Sequence, residues 1–310
     1  METKDHTVYA DLRELMSFKH RAKGFSFLPR QPMHSVLAGR HASRLRGRGL
    51  NFEELRHYRS GDDIRAMDWK VTNRTGKPHV RVYTEERERP VILVVDQRVN
   101  MFFGSVRYMK SVIAAQLTSL AAWRVLASGD RVGAVIFDDS EVIEIRPHRS
   151  QKTVMRILKQ TVAMNHRLNA GMSSERNDAQ LSEVVHKTEQ LCSHDHLVVI
   201  ISDLSGWNEQ TLKLVKRISR HNDIVSAHIY DPLERQLPES GRLLVSDGVM
   251  QIEVNANDAN LQAGFAEAFT DHEDYIESEL RKHNIPLIPI NTIEPVDIQL
   301  RLAMGRSAGG

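Results

Sequence analysis

The 310-residue chain is 41% hydrophobic and 26% charged, which allows a substantial core in one large domain with an appendage or in two domains. Its longest wholly apolar runs hold about five residues, whereas a helix that spans a membrane needs about 20. The start is too polar and acidic for a signal peptide, so we expect a cytoplasmic protein without membrane insertion. The single cysteine, Cys192, excludes an internal disulfide.

The formal charge of +2 conceals a basic stretch near the amino terminus. Residues 19–48 hold eight Lys and Arg and no acidic residue, so this segment carries +8 and the remainder −6. Its glycines and prolines favour loops and short pieces. We favour a solvated segment that lies over the acidic remainder, with a docking surface for an acidic partner as the second interpretation. Nucleic acid is not expected, because the segment has no recognised motif and its two aromatics, Phe25 and Phe27, are few for base stacking.

The segment 49–89 mixes apolar side chains with closely spaced opposite charges. Its neighbouring charged residues are Glu54 and Arg56, then Asp62, Asp63 and Arg65, then Asp68 and Lys70. Gly61-Asp62-Asp63 favours a turn in which Asp63 caps a short helix. The mixture predicts a partly buried ion-pair network that clamps the amino-terminal region onto the remainder, because paired charges more often hold structure than perform chemistry. The alternative interpretation is a rigid recognition surface.

Two β-branched runs, residues 91–95 and 197–202, have the length and composition of buried parallel strands. Asp96 follows the first run and Asp203 follows the second. Because open α/β sheets bind ligands where their parallel strands end, we expect both carboxylates to lie side by side at that edge. This edge of the sheet is the predicted site.

The rest of the chain alternates helical and strand patterns. The clearest helix is predicted over residues 105–128, with Ser105 as its N-cap. The other predicted elements are a hairpin of 131–137 and 141–146, helices near 150–164, 178–192, 209–220 and 258–283, strands at 224–230 and 287–290, and a small hairpin of 242–245 and 249–254. This order predicts an α/β fold with a mostly parallel sheet covered by helices on both faces. The predicted regions are an irregular, β-containing amino-terminal region (1–90), the sheet domain (91–303) and a disordered tail (304–310).

The run from about residue 47 to 96 resembles the signature of the domain of unknown function 58 family. The positions that carry the resemblance are Glu54, Arg56, Tyr58, Gly61, Asp62, Asp63, Arg65, Asp68 and Trp69. The resemblance implies a von Willebrand factor A-like domain that begins at the first strand. It also implies a partnership with MoxR-type AAA+ ATPases, beside which members are typically encoded, and no enzymatic activity is established for the family.

The same resemblance raises the question of a metal at the predicted site. In von Willebrand A domains that bind magnesium, the loop after the first strand reads Asp-x-Ser-x-Ser, and a threonine and a second aspartate complete the oxygen ligands. Here the loop reads Asp96-Gln97-Arg98-Val99-Asn100. At about 4 Å and an effective dielectric of about 20, a divalent ion that faces Arg98 meets roughly 8 kcal/mol of repulsion. We therefore favour a pair between Arg98 and Asp96 or Asp203, without metal.

The alternative is a weak magnesium site, which requires Arg98 to point into solvent. Its ligands would be Asp96, Asn100 and Asp203, with Ser173 or Ser174 in place of the threonine. Magnesium is the one cofactor that the sequence suggests.

For function, we expect a non-enzymatic adaptor in which the edge around Asp96, Arg98, Asn100 and Asp203 contacts a MoxR-type ATPase or its client. A competing hypothesis is a metal-dependent nuclease or phosphoesterase. Its carboxylates and lysine would be Asp62, Asp63, Asp68, Glu85, Glu86 and Lys70. The chain contains no Walker loop, no Gly-x-Ser-x-Gly, no Gly-x-Gly-x-x-Gly and no His-Glu-x-x-His, so no nucleotide, serine-hydrolase or zinc-protease chemistry is indicated.

Overall fold

The computed structural model describes residues 5–22, 50–85, 89–171, 179–238, 241–246 and 251–305. The chain divides into two compact units. The sheet unit combines residues 5–22 with the described residues from 89 onward, and the signature unit contains residues 50–85. The division between residues 88 and 89 lies close to the predicted boundary at residue 90, but residues 5–22, predicted in the amino-terminal region, pack with the sheet. Most of the predicted basic segment, residues 23–48, lies outside the described residues.

The described residues form ten strands and nine α-helices. The strands are β1 Leu50–His57, β2 His79–Glu85, β3 Pro90–Asp96, β4 Arg131–Phe137, β5 Val142–His148, β6 Leu197–Ser202, β7 Asp223–Tyr230, β8 Arg242–Ser246, β9 Gln251–Asn255 and β10 Leu287–Asn291. The helices are α1 Leu12–Arg21, α2 Trp69–Thr75, α3 Lys110–Ala127, α4 Gln151–Asn165, α5 Gln180–Leu191, α6 Glu209–Ile218, α7 Pro232–Arg235, α8 Ala259–Arg281 and α9 Val296–Gly305. In this part of the chain, no helix has the length and apolarity required to cross a bilayer.

A six-stranded sheet forms the centre of the sheet unit. Its strand order is β10-β7-β6-β3-β4-β5, and every neighbouring pair is parallel except β4 and β5. The antiparallel pair is the predicted hairpin around residues 138–140, and β8 with β9 forms the predicted small hairpin. The predicted α/β fold with a mostly parallel sheet is confirmed.

Alternate residues of the central strands build two separate cores. In β3, Val91, Leu93 and Val95 pack in a core with α1, α3, α4 and α9. Ile92 and Val94 of the same strand pack in the other core with α5, α6 and α8. Since successive side chains of a strand point to opposite faces, helices cover both faces of the sheet, as predicted.

The best-defined predicted helix begins five residues later than expected. α3 starts at Lys110, and Ser105 does not cap it. The Ser105 backbone N–H and hydroxyl instead donate to Asp231, at 2.9 and 2.5 Å. Ser105 therefore binds the distant carboxylate of Asp231 and does not cap α3.

Two helices at the ends of the sheet unit are absent from the predicted elements. In α1, Leu15 and Phe18 are buried in the same core as α3, and the Ser119 hydroxyl of α3 donates to the Leu15 carbonyl at 2.5 Å. α9 extends to Gly305 and so includes the first two residues of the predicted tail. The rest of that tail, 306–310, lies outside the described residues.

The signature unit is built on an antiparallel pair, β1 with β2. A 3₁₀ turn, Ile64–Ala66, and the short helix α2 connect the two strands. Among the described side chains of this unit, Val80 and Asp68 are the buried ones. The described side chains of this unit therefore contribute one apolar residue, Val80, to a buried core.

Candidate functional site

The carboxyl edge of the sheet gathers the charged residues that follow β3 and β6. These strands are parallel neighbours in which Val95 pairs with Ile201. Asp96 therefore ends β3 beside Ser202, whose hydroxyl donates to Asp96 Oδ2 at 2.7 Å. Asp203 follows one residue later. The structure thus places both predicted carboxylates at one edge, on adjacent strands.

Arg98 pairs with Asp96 in the protein interior. Its Nη2 lies 2.6 Å from Asp96 Oδ2 and its Nε lies 3.0 Å from Oδ1, and the two side chains are 3% and 0% exposed. Nη2 also donates to the Ser205 carbonyl at 3.0 Å, and the guanidinium lies over the Phe137 ring. Burial by itself would lower the pKa of Arg98, but the charge of Asp96 raises it. Arg98 is therefore a fixed internal cation that does not point into solvent.

Lys110 supplies a second internal cation. Its Nζ lies 2.8 Å from Asp203 Oδ2 and 2.6 Å from Glu234 Oε1. The Asn100 amide donates to both oxygens of Asp203, at 2.8 and 2.7 Å. Burial opposes a charge on Asp203, but Lys110 and Arg98 outweigh it and hold the pKa of Asp203 below its usual range. Burial likewise opposes the charge on Lys110, and Asp203 with Glu234 raises its pKa.

Lys110 is not among the residues predicted for this site, although its position carries a signal. It is the first residue of α3, where the helix dipole disfavours a cation. The first turn has no acidic residue and the N-cap makes no side-chain hydrogen bond. A helix predicted to begin at Ser105 hides this signal, because it moves Lys110 into the second turn. A buried lysine at a helix start needs carboxylate partners, which Asp203 and Glu234 provide.

The carboxylates at this edge do not fit a magnesium ion. Arg98 engages both oxygens of Asp96, and Asn100 engages both oxygens of Asp203. Magnesium needs free oxygen ligands in near-octahedral geometry, and Asn100 directs its amide N–H group, not an oxygen, toward the cluster. The predicted substitutes for the threonine, Ser173 and Ser174, lie outside the described residues.

Three of the four residues predicted to contact a partner are buried. Asp96, Arg98 and Asp203 are 0%, 3% and 8% exposed, and Asn100 is half-buried. Such side chains offer little surface to another protein. Their contacts instead fix the shape of the loops that surround them.

The loop between β3 and α3 presents an apolar surface at the same edge. Val106 is 70% exposed and Phe103 is 36% exposed. The bonds from Ser105 to Asp231 anchor this loop. At Gly104 a Cβ atom would lie 2.2 Å from a backbone oxygen, so only glycine permits this close approach. The exposed side chains therefore sit on a loop of defined shape.

The carboxylates of the signature unit are held by arginines. Arg56 makes two hydrogen bonds to Asp62, at 2.8 and 2.7 Å. Arg81 Nε lies 2.8 Å from Asp68 Oδ2, and Asp68 also caps α2. The hydrogen bonds from Arg56 and Arg81 lower the pKa of Asp62 and Asp68 respectively. The ion pairs therefore join Asp62 to Arg56 and Asp68 to Arg81, which are farther along the chain than the nearest opposite charges.

The other signature residues have structural or surface positions. Asp63 accepts a hydrogen bond from Arg65 N at 2.9 Å and caps the 3₁₀ turn, as predicted. Gly61 has a φ of +104°, Tyr58 is half-buried and Trp69 is exposed. The side chains of Glu54, Glu85 and Glu86 are not among those described. Within the described ranges, no group of three or more His, Cys, Asp or Glu is arranged to hold a metal ion.

Comparison with known proteins identifies the family. The family described as "Protein of unknown function DUF58" matches residues 54–275, which is more than half of the chain. The chain belongs to this family. The match covers most of the signature unit and the sheet unit through most of α8.

Similar family relatives occur in mycobacteria. "Uncharacterized protein Mb1516" of Mycobacterium bovis and "Uncharacterized protein Rv1480" of Mycobacterium tuberculosis are each 27% identical to this chain over 268 residues. The alignment covers 85% of this chain and 81% of each relative. The similarity thus extends over most of both proteins.

Two solved structures are similar to part of this chain. One is an aerotolerance-related membrane protein from Bacteroides fragilis with multiple mutations to serines, with a TM-score of 0.43. The other is the conserved hypothetical protein BatB from Bacteroides thetaiotaomicron, with a TM-score of 0.40. Each is 10% identical and covers 71% of this chain and 98% of its own. The fold assignment above depends on the strand pairing of this chain alone.

Proposed function

We propose that this member of the DUF58 family is a non-enzymatic, cytoplasmic interaction protein whose sheet unit binds another protein at its carboxyl edge. The observation that supports the proposal is the pairing of Asp96 with Arg98 and of Asp203 with Lys110 beside the exposed loop of Phe103 and Val106. The charged groups that would otherwise bind a ligand neutralise one another. The side chains that this loop leaves for contact include the apolar Phe103 and Val106, and apolar side chains are typical of the centre of protein interfaces.

The buried charges favour a structural role over catalysis. A general acid or base must reach its substrate, usually in a pocket with a few convergent polar groups. Asp96, Arg98 and Lys110 are each at most 3% exposed, and each makes its contacts inside the protein. Their geometry supports a scaffold that holds the β3–α3 loop in one shape for binding.

The partner proposed is a MoxR-type AAA+ ATPase or a client of that ATPase. This part of the proposal comes from the resemblance of residues 47–96 to the family signature, because members are typically encoded beside such ATPases. Because Arg98 is buried, a substitution at this position also disturbs the interior. A glutamate at position 98 would place two carboxylates together in the interior and unfold the edge, so loss of binding by that variant would be uninformative.

The sharper test is to place a charge on the exposed loop. We expect Val106→Glu to weaken binding of the purified MoxR-type ATPase from the same cells by about tenfold or more, because a carboxylate would be buried in an apolar contact. Leu302→Glu is the matched control, since Leu302 is 57% exposed on α9 and Val106 is 70% exposed. Calorimetric titration measures both affinities. Equal affinities for the two variants would contradict the proposed surface.

The alternative hypothesis of a metal-dependent nuclease or phosphoesterase predicts that carboxylates of the signature unit support cleavage of nucleic acid. We expect no cleavage of labelled nucleic acid by the purified protein in magnesium or manganese, because Arg56 and Arg81 already hold Asp62 and Asp68. Gel electrophoresis of the products measures this directly. Cleavage that disappears in an Asp68→Asn variant with unchanged circular dichroism would establish the enzyme and exclude a purely adaptor role.

A further inference from the structure

The described side chains of the signature unit carry an excess of positive charge. Residues 55–81, whose side chains are described, contain seven Lys and Arg against three Asp. Within the described side chains of this unit, the three aspartates are all used internally. Asp62 binds Arg56, Asp68 binds Arg81, and Asp63 caps the 3₁₀ turn. Among these described side chains, the charge that remains for interactions outside the unit is therefore positive.

The free cations of this unit are exposed. They are Arg59, Arg65, Lys70, Arg74 and Lys77, and none of them forms an ion pair within the described residues. Arg65 lies in the 3₁₀ turn, and Lys70 and Arg74 lie four residues apart on α2, which places these two on one side of the helix. They form one basic stretch along residues 59–77.

Large apolar side chains are exposed in the same stretch. Ile64 and Trp69 are each 59% exposed, one next to Arg65 and the other next to Lys70. Trp69 differs from the other two tryptophans of the chain, Trp123 and Trp207, which are 3% and 7% exposed. An isolated two-stranded sheet is marginal in water, and Val80 is the one buried apolar side chain among those described for this unit. Two large apolar side chains exposed five residues apart, each beside a free cation, favour an interaction site.

We infer that the surface formed by Ile64, Arg65, Trp69 and Lys70 binds an acidic, apolar segment of a partner protein. Carboxylates of the segment pair with the free cations, and its apolar side chains cover Trp69 and Ile64. Tryptophan and arginine are the residues that most often dominate the energy of protein interfaces. This second surface is separate from the carboxyl edge of the sheet unit and does not depend on the function proposed for that edge.

A protein segment fits this surface better than a nucleic acid. Single-stranded nucleic acid binds to successive aromatic side chains on which its bases stack. Among the described side chains of the signature unit, Trp69 is the one aromatic ring other than histidine that is exposed. Its apolar neighbour, Ile64, offers a contact for aliphatic side chains and no stacking surface.

The test uses the full-length protein and a synthetic peptide in which glutamate alternates with leucine. Binding should shift Trp69 fluorescence to shorter wavelength and protect it from quenching by iodide, because the other tryptophans are buried. The double variant Arg65→Glu/Lys70→Glu should bind the peptide about tenfold or more weakly. A second reversal, Arg74→Glu/Lys77→Glu, should weaken it in the same direction and serves if the first variant does not fold.

Matched controls separate this site from general electrostatics. Arg156→Glu/Lys159→Glu changes the net charge equally at two exposed positions of α4 and should leave the affinity within about twofold. A peptide with glutamine in place of glutamate should bind weakly. The inference is overturned if the control variant weakens binding as much, if the glutamine peptide binds equally, or if oligothymidylate binds more tightly than the acidic peptide. Resistance of Trp69 to iodide in the free protein would also overturn it.

Discussion

Replacing Lys110 with methionine should lower the free energy of unfolding by about 3–5 kcal/mol, because the change leaves buried Asp203 without its cation. Methionine has a similar volume, so lost packing is a minor part of the effect. Glu234, the second partner of Lys110, is 28% exposed and can recover hydration more easily. Equilibrium unfolding in urea measures the difference.

Two further variants identify the cause. Asp203→Asn in the Lys110→Met background removes the orphaned charge and should recover a large part of the lost stability. Lys213→Met is the matched control, because Lys213 pairs with Glu209 at an exposed position of α6 and such pairs contribute about 0–1 kcal/mol. A Lys110→Met protein as stable as Lys213→Met would show that the buried pair contributes nothing.

The stabilisation from the Asp203–Lys110 pair depends on pH in a direction that the pKa of Asp203 determines. The folded protein lowers the pKa of Asp203 relative to the unfolded chain. Its stabilising contribution is therefore fully present above about pH 4, the ordinary value for aspartate, and is lost as the pH falls toward the folded pKa. The difference in stability between the parent and Asp203→Asn should be constant near neutral pH and shrink in acid.

Arg98→Met should also lower the free energy of unfolding by about 3–5 kcal/mol, for a parallel reason. It leaves Asp96, which is 0% exposed, with the Ser202 hydroxyl and the backbone N–H of residue 98 as its remaining donors. It also removes the hydrogen bond to the Ser205 carbonyl, which joins the β3 and β6 loops. Denaturant unfolding followed by circular dichroism measures the loss.

The control for Arg98 is an arginine with similar partners at the surface. Arg167 pairs with Asp138 and Glu141 but is 49% exposed, so Arg167→Met should cost about 1 kcal/mol or less. Adding Asp96→Asn to Arg98→Met should restore part of the stability, since the uncompensated charge is then absent. If the double variant is less stable than Arg98→Met alone, the neutralisation account of this edge is wrong.

The positions of the strands were predictable because they depend on signals that act over a few residues. Contiguous β-branched residues end at Asp96 and at Asp203, and the turn residues 138–140 separate two strand patterns. Helices between them require a mostly parallel sheet, and parallel strands end at one edge. The meeting of the two carboxylates at this edge follows from these local signals.

The cation that pairs with Asp96 could be predicted from the sequence, but the cation that pairs with Asp203 could not. Arg98 is two residues from Asp96, and the expected pair forms. Lys110 is 93 residues from Asp203, and the two meet only because α3 packs against the sheet. Ser105, the predicted cap of α3, instead donates to Asp231, 126 residues away, and α3 begins at Lys110.

The strands of the six-stranded sheet, their mostly parallel arrangement and the edge that carries Asp96 and Asp203 could be predicted from local sequence, because periodicity and turn residues need only near neighbours. Tertiary packing alone set the burial of Arg98, the role of Lys110 and the place of α1 in the sheet core. These features depend on desolvation and on contacts between distant segments, and neither exists until the chain has folded.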